Sequence, residues 1–384
     1  VGVYGVSLLT ALTAGAVAFL VQENLLSRNL PAPAGSTTRP SLPGRRHGDE
    51  GRGAKSWSHF ILNPSWRLSR SKSASGFALT LLIGIPVVGA GLKTVNWTNP
   101  LPGEATTVAL LQGNISQDLK WRPEQTIATL ETYASLVRQS DATLIVLPET
   151  AIPMFQVNVP PGYLEMLVER GKRNHGDILV GVPELAADGR YFNSVMSFGS
   201  SATRGYRKQH LVPFGDYFPL RPVLGWIMHL MEIPMSEFSR GEGKQGPLHV
   251  AGQKIAINIC YEDAFGEEII RQLPEATLLA NFTNDAWWGK SIASRQHLQM
   301  AQMRALEGGR PMLRATNTGV SAIIGPNGDI VAAAPEFVTT TLSGTVRGYQ
   351  GATPYVAVGN FGFCAIAGLM LAAGLSRRRS PRSA

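Results

Sequence analysis

Three stretches of the chain, residues 1–22, 73–92 and 348–376, are apolar and carry no charge. A hydrocarbon core of about 30 Å takes roughly 20 residues to cross as a helix, so the pattern predicts three transmembrane helices. The first run starts at Val1 with no Met and no basic stretch before it, so it does not read as a signal peptide. On that reading the chain is a fragment of a longer membrane protein. Between the second and third runs the period changes. Short β-rich runs at residues 107–112, 143–147, 178–182, 193–198, 255–260, 277–281 and 312–315 predict strands. Residues 123–139 predict a helix, with Ile127, Leu130, Tyr133, Ala134 and Val137 at helical spacing behind Pro123. Residues 161–174, 265–273 and 294–308 also read as helices, and residues 320–332, with Gly325-Pro326-Asn327-Gly328 at the centre, as a hairpin. Strands alternating with helices give an α/β class, in which reactive residues collect at strand ends.

Charge refines this layout. The 384 residues carry a net +8, but residues 23–72 hold nine Lys or Arg against three acids, and Arg377, Arg378, Arg379 and Arg382 follow the last apolar run. These two segments exceed the net charge of the whole chain, so the basic excess is a topology signal and not a nucleic-acid footprint. With both on the cytoplasmic side, the chain divides into a membrane helix (1–22), a basic cytoplasmic loop that is largely flexible (23–72), a second helix (73–95), an α/β domain outside the cytoplasm (96–347), a third helix (348–376) and a basic tail (377–384). The loop is rich in Pro, Gly, Ser and Arg and shows no hydrophobic period. Within it, residues 60–68 with Trp57 and Trp66 suit either a membrane surface or a disordered linker.

Cys260 and Cys364 are the two cysteines of the chain, and Cys364 lies inside the third apolar run, so no disulfide framework is expected. Cys260 ends the run Ile255-Ala256-Ile257-Asn258-Ile259 and is followed by Tyr261-Glu262-Asp263. A thiol packed only as core would not need carboxylates beside it, and an unpaired thiol outside the cytoplasm is a liability that function would explain. Glu149, after Leu144-Ile145-Val146-Leu147-Pro148, and Lys208, after Tyr206-Arg207, sit in similar settings. A thiol with a reference pKa of about 8.5 needs a base, which Glu149 supplies if a dry pocket raises its own proton affinity. Lys208 and the amide of Tyr261 would then hold the oxyanion formed on a carbonyl. Taken singly, each residue more often has a bland role, as core thiol, loop carboxylate or solvated lysine, and it is the three together that point to catalysis. A Cys–His scheme is the other option, with His210 or His297, but neither has a carboxylate orienter nearby in sequence and both read as structural. The histidines lack close ligand spacing, so no metal is expected, and no cofactor is called for.

Five strings in order carry a resemblance: Leu111-Gln112-Gly113-Asn114-Ile115, Leu147-Pro148-Glu149-Thr150-Ala151, residues 206–215 from Tyr206-Arg207-Lys208 to Phe214-Gly215, Cys260-Tyr261-Glu262, and Asn284-Asp285-Ala286-Trp287-Trp288-Gly289. Over residues 105–347 the chain resembles the nitrilase (carbon-nitrogen hydrolase) superfamily, and within it the apolipoprotein N-acyltransferase branch of bacterial inner membranes. The resemblance implies an αββα sandwich tethered by flanking transmembrane helices, a periplasmic catalytic domain in a multi-pass protein, and a Glu149–Lys208–Cys260 triad. It further implies accessory roles for Glu262, Trp121 and Trp288. Trp121, Trp287 and Trp288 would serve equally as interface anchors, and Glu262 as an ion-pair partner. Where the branch has Glu after its Phe-Gly motif, this chain has Asp216, one methylene shorter, and it has fewer N-terminal membrane helices. The implied reaction is acyl transfer through a Cys260 thioester, from a phospholipid donor to the N-terminal diacylglyceryl-cysteine of an apolipoprotein at the lipid bilayer, without nucleic acid. The alternatives are a membrane-tethered amidase or nitrilase acting on a small amide, and an inactive lipoprotein-binding scaffold.

Overall fold

Alternation along the central strands shows how the layers are built. In β2 (Thr106–Gln112), Val108 and Leu110 join one buried cluster while Ala109 and Leu111 join another. Both faces of the strand are covered, which is why it reads in sequence as a continuous apolar run. The computed structural model describes residues 10–17, 72–120, 122–217 and 237–379. These fall into two compact units, one within residues 10–95 and the other within residues 96–379.

The larger unit contains two six-stranded sheets of one plan. In the first, β2, β3 (Leu144–Val146) and β4 (Asp177–Leu185) run parallel. They are flanked by antiparallel β13 (Thr340–Val346) on one side, and by β5 (Tyr191–Gly199) and then β6 (Gly205–Arg207) on the other. In the second, β8 (Gln253–Ile259), β9 (Leu278–Thr283) and β10 (Met312–Thr316) run parallel. Antiparallel β7 (Leu248–Val250) borders β8, and β11 (Ala322–Ile324) with β12 (Ile330–Ala333) borders β10. A separate ladder pairs β1 (Thr98–Pro100) with β14 (Tyr349–Gly351).

The sheets pack face to face through Val108, Leu110, Leu144, Val146 and Leu179 of the first and Ile255, Ile257, Ile259, Phe282 and Leu313 of the second. Each such side chain contributes about 1.5–3 kcal/mol on burial. The outer face of the first sheet is covered by α2 (Pro123–Gln139), through Leu130, Tyr133 and Val137, and by α3 (Tyr163–Arg173), through Leu167. That of the second is covered by α4 (Ala293–Gly308), through Leu298, Ala301 and Ala305. The result is the four-layer αββα sandwich that the resemblance implied. Ile127 alone of the expected α2 stripe faces out, 52 % exposed.

Three features differ from the sequence reading. Residues 265–273 form not one helix but short turns, Gly266–Ile269 and Ile270–Gln272. The third apolar run does not start a helix at residue 348. Its first residues form β14, the short helix Pro354–Val358 buries Tyr355, and Gly359 breaks the direction with φ 54° before α5 (Phe361–Arg379) begins. These residues belong to the folded unit because they pair and pack with it. Among the described residues, no helix is long and apolar enough to cross a membrane. The 21-residue α1 (Lys72–Leu92), which holds the second apolar run, contains Pro86. Residues 10–17 of the first run are helical. The rest of that run, nearly all of the basic loop and residues 380–384 of the tail lie outside the described residues.

Candidate active site

The three residues singled out by their strand-end settings meet at one end of the sandwich. Glu149 follows β3, Lys208 follows β6, and Cys260 follows β8 from the facing sheet. The close turn after β3 depends on a glycine opposite it. A Cβ on Gly181 of β4 would stand 2.3 Å from the Pro148 carbonyl oxygen and 2.7 Å from the Glu149 Cα. Thr150, next in the turn, has φ 47°, and Cys260 has φ 52° as it enters the 3-10 turn Cys260–Ala264. Non-glycine residues held in this region cost about 1–3 kcal/mol each, and such strain gathers at functional sites.

Lys208 is the electrostatic centre. Its Nζ lies 2.8 Å from Asp216 Oδ2 and 3.5 Å from Glu149 Oε1, with the side chain 1 % exposed. Burial opposes its charge, but Asp216, Glu149 and Cys260 together outweigh burial and hold the ammonium well above the usual lysine range. Glu149 Oε1 also accepts a 2.7 Å hydrogen bond from Asn193 Nδ2. Burial pushes the half-buried Cys260 thiol up, the Glu149 carboxylate adds to the rise, and Lys208 pulls the other way. Burial and Glu149 thus favour the protonated form of the Cys260 thiol, which sits beside a carboxylate and a lysine held in its charged form. Such a set can take up the proton of a thiol and stabilise an oxyanion.

Asp216 is placed by its 2.8 Å contact to Lys208 and by accepting from the Val212 amide, also at 2.8 Å. Its short side chain therefore reaches the lysine. Glu262 is buried and accepts from the Ile259, Gln209 and His210 amides at 2.7, 2.6 and 3.0 Å and from the Tyr206 hydroxyl. It splices the Lys208 loop to the Cys260 turn. Burial raises its pKa to about 7 against those donors. Tyr261 is partly exposed and meets Phe265 edge-on. Trp287 and Trp288, 54 % and 58 % exposed, lie in the turn after β9. Trp121 lies outside the described residues.

Against this geometry, the carbon-nitrogen hydrolase family model matches residues 107–355, well over half of the chain. The chain belongs to the carbon-nitrogen hydrolase family. It is 53 % identical over 316 residues to an apolipoprotein N-acyltransferase of Nitrosomonas europaea, covering 82 % of this chain and 63 % of the relative. It is 48 % identical over 273 residues to that of Chromobacterium violaceum (71 % and 53 %), and 45 % identical over 330 residues to that of Methylococcus capsulatus (84 % and 64 %). The chain thus spans somewhat over half the length of these relatives.

The site contains residues of this family member that local sequence did not single out, and it gives His297, set aside above as structural, its partners. Lys120, buried at the end of the short helix Gln117–Lys120, donates to the Glu149 carbonyl oxygen at 3.2 Å and to the Thr150 hydroxyl. Asn193 is a strand residue with no local mark of its role. His297 on α4 has the carboxylates that its neighbours in sequence do not supply: Asp285 Oδ1 at 2.9 Å from Nδ1 and Asp263 Oδ1 at 3.0 Å from Nε2. Arg314 holds the other oxygens of both, at 3.0 Å for Asp285 and 3.3 Å for Asp263. Both ring nitrogens are committed, which leaves neither to act as a base toward the thiol. Nε2 also lies 3.2 Å from the Cys260 carbonyl oxygen. Burial and Arg314 lower the His297 pKa, but Asp263 and Asp285 prevail and raise it to about 9. His210, stacked on Phe265 and 3.2 Å from Glu268, is likewise a packing residue.

The quoted strings that carry no nucleophile tie the loops together. Asn317 receives the Ile115 amide, donates to the Ile115 carbonyl oxygen and donates to Asn284, which in turn donates to Gln117. Among the described residues, no group of three or more His, Cys, Asp and Glu side chains is arranged to hold a metal ion.

Proposed function

We propose that this chain catalyses phospholipid-dependent N-acylation of the N-terminal diacylglyceryl-cysteine of bacterial apolipoproteins, with Glu149 as base, Lys208 as oxyanion partner and Cys260 as nucleophile. The convergence of these three residues from two sheets carries the reading, together with the shared name of the relatives. In the first step Glu149 takes the thiol proton and Cys260 Sγ attacks the ester carbonyl of a phospholipid. Lys208 and the Tyr261 amide stabilise the tetrahedral oxyanion. Collapse breaks the acyl C–O bond, Glu149 returns its proton to the leaving alkoxide, and a lysophospholipid departs. In the second step the α-amine of the acceptor attacks the thioester, the nitrogen gives a proton to Glu149, and the thiolate leaves as the amide forms and is reprotonated. Two half-reactions through one acyl-enzyme give ping-pong kinetics.

Exposed apolar surface supports lipid substrates over a small amide. Ile83, Val87 and Val88 on α1 and Phe361, Leu369 and Leu371 on α5 stand 57–78 % exposed. We assign these faces to the bilayer, with the domain on the periplasmic side of a bacterial inner membrane as the charge pattern implies. Intact-mass analysis after incubation with phosphatidylethanolamine tests the first step. A hydroxylamine-labile acyl adduct is expected on the native chain and absent in Cys260→Ala. Glu149→Gln should slow its formation at least about 100-fold, as should Lys208→Met, for which a lost oxyanion partner costs about 3 kcal/mol. Free fatty acid released without an adduct that an amine acceptor can capture would favour hydrolysis, and no adduct at all would favour a binding scaffold.

A further inference from the structure

Two lysines are buried at this site, and Lys208 alone has been given a task. Lys120 reaches the opposite part of the base. Lys208 meets the Glu149 carboxylate, whereas the Lys120 ammonium donates to the Glu149 main-chain oxygen and to the neighbouring Thr150 hydroxyl. These contacts fall on the turn where Thr150, a β-branched residue, is held at φ 47° and where Gly181 permits close approach of the chain. Strain of this kind persists only where surrounding contacts hold it; Asn193 and Lys208 hold the carboxylate itself, whereas Lys120 grips the main chain of the turn.

We propose that Lys120 is a positioning residue for the Glu149 base, its ammonium clamping the Glu149–Thr150 turn so that the carboxylate stays directed at Cys260. The clamp deepens the acyl-transfer reading and rests on it for its role in turnover. Its geometry concerns the thiol and its base whatever the acyl donor.

Among the described residues, Glu149, from the turn after β3, and Cys260, from the turn after β8, act on Lys120. Lys208 and Asp216 stand beyond Glu149. Burial lowers the Lys120 pKa against the pull of Glu149 and Cys260, to about 8. A depressed lysine loses its proton as pH rises through that value, so the clamp weakens on the alkaline side. Arginine stays charged throughout the range.

The test compares the full chain with Lys120→Met and Lys120→Arg. One readout is single-turnover formation of the Cys260 acyl adduct from phosphatidylethanolamine between pH 6 and 10. The other is iodoacetamide alkylation of Cys260, followed by peptide mapping. Lys120→Met is expected to slow both at pH 7 by tenfold or more, without change in the apparent KM for the lipid. The native chain should lose adduct rate above about pH 8, and Lys120→Arg should retain it to higher pH. Wild-type rates in Lys120→Met, or an alkaline limb in Lys120→Arg identical to the native one, would overturn the proposal. If Lys120→Met fails to fold, the native and Arg profiles decide alone. Slowed alkylation with no acyl adduct in any form would sink the acyl-transfer reading and leave the clamp standing.

Discussion

Two carboxylates help to keep Lys208 charged, and they are not equivalent. Asp216 is nearer, at 2.8 Å against 3.5 Å for Glu149, and it takes no other part in the proposed chemistry. Asp216→Asn therefore removes charge compensation from a lysine that is 1 % exposed while leaving the base and nucleophile in place. Breaking a buried pair from one side costs about 3–5 kcal/mol. Glu149 remains as a second anion, so we expect the lower end of that range in urea unfolding at pH 7. We also expect a fall of at least tenfold in acyl-adduct rate, because Lys208 would then draw more strongly on the Glu149 carboxylate that must accept the thiol proton. Unchanged stability would mean that Asp216 is an incidental neighbour.

At the scale of elements, the turn after β8 is held from behind by α4. His297 and Arg314 face Asp263 and Asp285 in a buried group of two cations and two anions, and His297 also touches the Cys260 carbonyl oxygen. The sign of its pH dependence follows from the raised pKa. A His lifted from 6.5 to about 9 contributes stability that is fully present below pH 6.5 and lost as pH rises through 9. That difference corresponds to something on the order of 3 kcal/mol. His297→Gln should be less stable than the native chain at pH 6, and the gap should narrow by pH 9.5, as read from urea midpoints. A gap independent of pH would show that the imidazolium charge is not what holds the turn. The group also shows where sequence reasoning stops. β2, β3, β8, β9 and β10 were visible because burial on both faces makes them mostly apolar, with single polar residues such as Asn258, Asn281 and Arg314 inside the runs, and α2 because its stripe follows Pro123. The three-residue strands β1, β6, β7 and β14 are too short for any period to register, and β13, Thr-Thr-Leu-Ser-Gly-Thr-Val, is too polar. Glu149 and Cys260 were legible because each follows an apolar run, whereas Lys208 follows only Tyr206-Arg207 and stood out through the quoted string that contains it. The carboxylates of His297 lie 34 and 12 residues away, and the contact between Lys120 and Glu149 spans 29, so only the folded chain brings them together.

At the scale of the molecule, the fold conceals its sheets and leaves helical apolar surface uncovered. Three layers of side chains seal both faces of both sheets, yet on α1 Leu79, Ile83, Val87, Val88 and Leu92 are 46–63 % exposed, and α5 presents Phe361, Ile366, Leu369 and Leu371. Water-facing helices ordinarily carry a polar face, and α1 has no charge after Lys72. Lipid is the environment in which such surfaces cost nothing, and it is also where the proposed donor and acceptor reside. If these faces meet the bilayer, introduced charge should release the chain from it. A charged side chain on a face that enters the hydrocarbon costs up to about 2.5–3.5 kcal/mol, the insertion-scale value at full depth. The pairs Ile83→Lys with Val87→Lys and Leu369→Lys with Leu371→Lys should each reduce co-flotation with phosphatidylethanolamine vesicles by a factor of ten or more. The folded unit should keep its iodoacetamide reactivity at Cys260, since none of the four positions lies in the sandwich. Adduct formation from vesicle lipid should fall with flotation, whereas adduct formation from a short-chain lipid dispersed in detergent should not. Equal flotation of the variants and the native chain would detach the apolar faces from the membrane and return the choice of acyl donor to the chemistry of the pocket alone.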